Sequence, residues 1–236
     1  MTTFIAGGTG FIGRRLVPLL AQRGEEIVCM DINPQTADFG QLGKQVKVVR
    51  GDVSQFDDVM AAMTAAKPNR VINLAYWIGS EHRPRAAFKL NVLGMDNVFE
   101  AARLAGCNRV AYASSLAVSG EQKFFGDRMV TEDDFRHGHV QYAMHKIFNE
   151  WQAQDYREKH GMEITAIRPA NVTGPDKIVG TDIDPQTADF GNPGKQVKVT
   201  RPVSGFGVQY RPYRERVLQI INDIRKEEGL PELARQ

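Results

Sequence analysis

The sequence predicts an α/β fold, a Rossmann-type doubly wound parallel sheet followed by a small carboxy-terminal region. Three observations carry this expectation. Short β-branched runs alternate with longer amphipathic stretches, the pattern of βαβ units. A glycine triplet, Gly7-x-x-Gly10-x-x-Gly13, follows the first run and opens the first helical stretch. Six such runs, separated by helices, fit before Arg168.

Taken in order, residues 3–6 form the first strand and 11–23 the first helix, with strands at 26–31 and 46–50. Residues 54–66 read as a helix with Ser54 as N-cap and Asp57 in the first turn, where a carboxylate favours the dipole. A strand at 70–75, a long helix at 84–105, a strand at 108–114, a second long helix at 142–160 and a strand at 163–168 complete the sheet. Val217, Ile220, Ile221 and Ile224 recur at helical spacing and mark a last helix over 213–227. With 236 residues the chain can hold one main core and a small appendage, divided here at 1–175 and 176–236.

The glycine triplet lets the backbone turn tightly and approach a pyrophosphate at a helix N-terminus. Gly7, Gly10, Phe11, Ile12 and Gly13 are therefore candidate cofactor contacts. Asp31 ends the next strand, where a carboxylate can accept both adenosine ribose hydroxyls and repel a 2′-phosphate, so NAD is favoured over NADP. Asp52, followed by Val53, suits either the adenine amino group or a helix entry, and Asn73-Leu74-Ala75 either a close backbone approach to the cofactor or plain core.

Tyr142-x-x-x-Lys146 places a phenol and an ammonium on one helix face. A nearby cation stabilises a phenolate, each pKa unit being worth about 1.36 kcal/mol. Tyr142 is then the candidate general acid or base, Lys146 the holder of the nicotinamide ribose, and Ser115 a hydrogen-bonding partner of the same substrate oxygen. Tyr76-Trp77 either walls a substrate pocket or packs in the core. His137, His139 and His145 lack clustered carboxylate or thiol partners and read as solvated loop or helix surface, so no metal is expected.

A net charge of +2 is too small, and its Lys and Arg too scattered, for a nucleic-acid or membrane footprint, which leaves a small-molecule substrate as the expected partner. The first residues lack a signal-peptide pattern, and no apolar run is long enough to span a bilayer. Cys29 and Cys107 read as small buried hydrophobes in a reducing, cytoplasmic setting.

One feature departs from an ordinary α/β pattern. Residues 31–50 and 182–201 are identical at 16 of 20 positions, differing at Asn33/Asp184, Gln41/Asn192, Leu42/Pro193 and Val49/Thr200. So close a copy reads as a recent duplication, natural or artefactual, and not as a solenoid repeat. No glycine loop precedes the second copy, so Asp182 reads as an ordinary loop residue.

Together these residues resemble the extended short-chain dehydrogenase/reductase family, the NAD-dependent epimerase/dehydratase group, over about residues 2–175. The resemblance implies Gly7 to Gly13 as nucleotide loop, Asp31 as ribose ligand, Asp52 as adenine contact, and Ser115 rather than Ser114 as the active hydroxyl. It implies Asn91 as a helix residue that orders the active site, and the stretch from Arg168 through Pro169 to Pro175 as the segment closing over the nicotinamide. It also implies a homodimer through helices 84–105 and 142–160. Leu116-Ala117 stands where the family's dehydratases carry an acidic pair, which argues against 4,6-dehydration. The expected function is hydride transfer to or from a secondary alcohol or ketone of a sugar, nucleotide sugar or sugar acid. The alternative is an NAD-binding module whose substrate region is incomplete.

Overall fold

The computed structural model describes residues 1–78 and 83–169, together with Val172, Asn222 and Pro231. The chain divides into two compact units, Met1–Phe124 with Phe135–Ala170, and Phe125–Asp134 with Asn171–Gln236.

The first unit holds a six-stranded parallel sheet in the order β3-β2-β1-β4-β5-β6. The strands are β1 (Thr2–Ala6), β2 (Glu26–Asp31), β3 (Val46–Arg50), β4 (Arg70–Asn73), β5 (Arg109–Ala113) and β6 (Glu163–Ile167). The order reverses between β1 and β4, which places a crevice at the carboxyl ends of those strands. Pairing of Ala6 with Met30 and Asn73, of Asn73 with Tyr112, and of Ala113 with Ile167 keeps neighbouring strand ends in register. The residues after them therefore emerge along one edge.

Successive strand residues face opposite sides, and both sides are apolar, as a sheet covered on both faces requires. Phe4, Ala6, Met30, Val71, Val110 and Tyr112 pack in one layer with Val59, Met63, Met95, Val98 and Phe99. Those helical residues come from α2 (Phe56–Ala66) and α4 (Gly94–Leu104). Ile5, Ile27, Cys29 and Ile72 pack in the other layer with Val17, Leu20 and Ala21 of α1 (Gly13–Ala21).

Helix boundaries differ from expectation for local reasons. α1 starts at Gly13 because residues before it form the loop, and it tolerates an internal Pro18. Ser54 does not cap α2, which begins at Phe56. The Asp52 carboxylate instead accepts the Ser54 N–H at 2.8 Å, and the Asp58 carboxylate accepts the Asp52 N–H at 3.0 Å, so the entry is a carboxylate turn. The helix expected at 84–105 is α3 (Pro84–Phe88), a π-helical turn at Lys89–Leu93, and α4 in continuous succession. α5 (Gln141–His160) ends in left-handed Gly161, whose N–H closes on the Arg157 carbonyl.

In the second unit, Arg128 forms a two-pronged pair with Asp134 at 2.6 and 2.8 Å, and Thr131 donates to the same carboxylate. These bonds hold the Asp134 carboxyl below its usual range. The second copy at 182–201 and the helix expected over 213–227 lie outside the described residues, apart from Asn222, which is helical. Among the described residues no helix is long and apolar enough to cross a membrane.

Candidate active site

The loop after β1 is shaped by two close approaches. Gly7 adopts φ +76°, and a Cβ there would lie 2.6 Å from the Ala75 N and 2.8 Å from the Leu74 carbonyl carbon. A Cβ on Gly13 would meet the Gly8 carbonyl oxygen at 2.2 Å. Any larger residue would push helix and loop apart, so the first N–H groups of α1 reach the loop only because this position is glycine. No side chain caps α1 and no acidic residue occupies its first turn, so its positive end is open to an anion. Gly10 continues the turn, its N–H donating to the Gly7 carbonyl and its carbonyl accepting from Arg14. Arg15 stacks over the Phe11 ring, and the Ile12 carbonyl accepts the Leu16 N–H.

Asp31, at the end of β2, accepts the Thr9 N–H at 3.3 Å and the Asn33 N–H at 3.1 Å, which orients its carboxylate beside the loop. Thr36 ties the same turn, its hydroxyl lying within hydrogen-bond distance of both Thr9 oxygens and the Asn33 carbonyl. These groups suit a dinucleotide: a helix start with neither a side-chain cap nor an acidic first turn for a pyrophosphate, and a fixed carboxylate for ribose hydroxyls. Val53 is buried, with its carbonyl held by Asn97 at 2.8 Å. Leu74 and Ala75 present backbone to Gly7, with the Ala75 N–H held by the Asn73 side chain.

The opposite end of the edge gathers Ser115, Tyr142 and Lys146. Ser115 follows β5, is buried, and accepts the Ala117 N–H at 3.1 Å. Its neighbour Ser114 instead donates to Glu150 at 2.7 Å. Lys146, 1% exposed, donates to the Ala113 carbonyl and lies 3.3 Å from the centre of the Tyr76 ring, against 5.8 Å for the Tyr142 ring. Tyr142 and Lys146 share a helix face as expected, but the aromatic ring nearest the ammonium is Tyr76. Burial pushes the Lys146 amino group down to about 7, opposed by the Glu150 charge, and pushes the Tyr76 phenol up. The two tyrosine rings meet edge to face at 5.4 Å.

Asn91 sits in the π-helical turn, fully enclosed. Its amide exchanges two bonds with the Trp77 backbone, at 2.8 and 3.0 Å, while its carbonyl accepts from Asn149 at 2.9 Å. The segment after β4 is thereby pinned to α5. His145 is buried, not on the helix surface as expected, with Nδ1 3.5 Å from the Asn91 amide nitrogen. Burial lowers its proton affinity. His137 is stacked on Phe124 at 4.4 Å. Among the described residues no three metal-binding side chains converge. Pro169 closes the edge, its carbonyl accepting the Leu116 N–H at 3.0 Å.

Sequence reasoning missed Glu150. Its buried carboxylate accepts from Ser114, from Arg136 at 2.6 Å, and from Arg168 at 2.6 and 2.7 Å. Burial acts to raise this carboxyl, and the bonds from Arg168, Arg136 and Ser114 outweigh it and hold it below the usual range. The available signal was spacing: Glu150 stands four residues beyond Lys146 and eight beyond Tyr142, on the same helix face.

Residues 3–212 match the model of the NAD dependent epimerase/dehydratase family. The chain belongs to that family. A UDP-glucose 4-epimerase of Lacticaseibacillus casei is 28% identical over 196 residues, covering 79% of this chain and 57% of the relative. Human 3 beta-hydroxysteroid dehydrogenase type 7 is 28% identical over 186 residues, covering 72% of this chain and 50% of the relative. This family member thus spans about half the length of the curated relatives it matches. Among solved structures, the UDP-glucose 4-epimerase of Thermus thermophilus in complex with NAD superposes with a TM-score of 0.68 at 28% identity, covering 75% of this chain and 58% of the other. The Brucella ovis UDP-glucose 4-epimerase, also in complex with NAD, gives 0.64 at 26%, covering 74% and 53%.

Proposed function

We propose that this chain binds NAD along the strand-end edge and transfers hydride to or from a secondary alcohol or ketone of a sugar, nucleotide sugar or sugar acid. The observation that carries the reading is the placement of Ser115, Tyr142 and Lys146 on the same sheet edge as the glycine loop and Asp31. Bound NAD supplies the hydride donor or acceptor. The uncapped start of α1 holds the pyrophosphate, Asp31 the adenosine ribose, and the segments at Asp52–Val53, Leu74–Ala75 and Pro169 line the remainder of the cofactor's path.

Tyr142 takes the proton from the substrate hydroxyl, or returns one to the carbonyl. Ser115, whose oxygen is steadied by the Ala117 N–H, donates its own hydroxyl proton to the same substrate oxygen. Lys146 holds the nicotinamide ribose, and Asn91 orders the segment that carries Tyr76 and Trp77. Two chains pair through α3–α4 and α5, a homodimer that would cover the exposed Phe88, Met144, Phe148 and Trp151. Buried, unpaired Cys29 and Cys107 suit a reducing, cytoplasmic compartment.

NADH absorbance and product analysis with a panel of sugars, sugar acids and nucleotide sugars test the reading. Net NADH identifies a dehydrogenase, and product without net NADH an epimerase. Tyr142→Phe should lower turnover by about 10²- to 10⁴-fold with NAD binding kept. Unaltered turnover in that variant overturns the mechanism, and NAD binding without turnover on any substrate would favour a nucleotide-binding module.

A further inference from the structure

Glu150 joins more of the site than any other side chain described above. Its side chain is 4% exposed, and both oxygens are engaged: Oε1 by Ser114 and the Arg168 Nε, Oε2 by Arg136 and a terminal Arg168 nitrogen. Two of its three partners stand beside a residue assigned above to the chemistry. Ser114 precedes Ser115, Arg168 precedes Pro169, and Lys146 lies one turn back on the same helix. Backbone bonds from Ser114 to Ile167 and from Leu116 to Pro169 run alongside, so the ends of β5 and β6 meet over this carboxylate.

Charge balance makes the arrangement more than a tether. Two guanidinium groups and the Lys146 ammonium share this interior with a single carboxylate. The other titratable groups facing them are Tyr76 and Tyr142 at Lys146 and Tyr112 of β5 at Glu150. Breaking a buried pair from one side leaves uncompensated charge, here of one sign.

We propose that Glu150 is a positioning residue for the nicotinamide end of the site: its carboxylate fastens the ends of β5 and β6 to α5 and supplies the counter-charge of Lys146. This rests on the reading of Lys146 as the residue that holds the nicotinamide ribose. Burial lowers the Lys146 pKa and the Glu150 charge opposes that shift, the two together leaving it at about 7. The bonded arginines, in turn, weaken the field that Glu150 exerts on Lys146.

Calorimetric titration of the full chain with NAD at pH values on either side of 7 tests this. Wild-type affinity should weaken as pH rises through the Lys146 transition. Glu150→Gln, which keeps size and loses charge, should move that weakening to lower pH by roughly half a unit or more. Arg136→Gln should move it the other way, because an unshared Glu150 acts more strongly on Lys146. A purely structural role predicts no such opposition of sign.

Coincident pH profiles for wild type and Glu150→Gln would overturn the proposal. If Glu150→Gln does not fold, Arg136→Gln decides alone, its side chain being 30% exposed: an upward shift supports the proposal and an unmoved profile overturns it. A wild-type chain that binds no NAD would overturn the cofactor reading and this inference with it, whereas NAD binding with unmoved profiles overturns the inference alone.

Discussion

Lys146 shows how one residue's burial ties stability to function. Its ammonium is almost fully enclosed, and desolvation brings its pKa from the ordinary 10.5 to about 7. Between those values the unfolded chain binds more proton than the folded one, so stability rises with pH across that window, by at most about 1.36 kcal/mol per pH unit for one group. Below 7 the full cost of burying the charge is present, and above 10.5 it is gone. Lys146→Met should therefore flatten the unfolding free energy between these pH values and be the more stable protein at acidic pH, while NAD affinity drops. Denaturant unfolding at a series of pH values checks it, and parallel curves for the two proteins would refute it. Gly13→Ala offers a second test at this scale, since its methyl would overlap the Gly8 carbonyl. NAD affinity should fall by about tenfold or more as α1 retreats from the loop, and unchanged affinity would mean that the loop can shift at no cost. The tight loop at Gly7 and Gly13 and the shared helix face of Tyr142 and Lys146 were legible in the sequence because both are local. The bonds of Glu150 and the contact of Tyr76 with Lys146 were not, since those partners come from segments far apart in the chain.

At the scale of elements, apolar periodicity located every strand and helix of the described sheet, with ends displaced by a residue or two. The displacement has named causes: a carboxylate turn at Asp52 replaces the expected Ser54 cap, and nothing in a run of apolar residues announces the π-helical turn at Lys89–Leu93. That turn brings Asn91 to the Trp77 backbone, an exchange no periodicity encodes. Asn91→Ala should leave both Trp77 groups without their partner and cost about 2 kcal/mol or more, with KM for substrate raised as the segment loosens. A melting temperature unchanged from wild type would show that other contacts hold the segment. Exposed Met144, Phe148 and Trp151 lie along one face of α5. Phe148→Glu combined with Trp151→Glu should yield monomers by light scattering; a monomeric wild type, or a double variant still dimeric, would place the association elsewhere or nowhere.

For the whole molecule, the strand order puts the glycine loop after β1 and Ser115 after β5, two strands apart with β4 between them. An extended dinucleotide could bridge that interval along one edge, and under the proposed function residues scattered from position 7 to 169 would then serve one site. The parallel sheet itself was legible in the alternation of strands and helices, and it brings all strand ends to one side. Substrate choice was not legible in the same way, as no motif in the sequence singles out one substrate. Lys146 again gives the broadest consequence. Its nitrogen rests between a peptide carbonyl and the Tyr76 ring in the folded chain itself. Folding is thus the step at which this cation sheds its hydration shell, and under the proposed function a ribose hydroxyl reaching it would meet a charge already dehydrated and aimed.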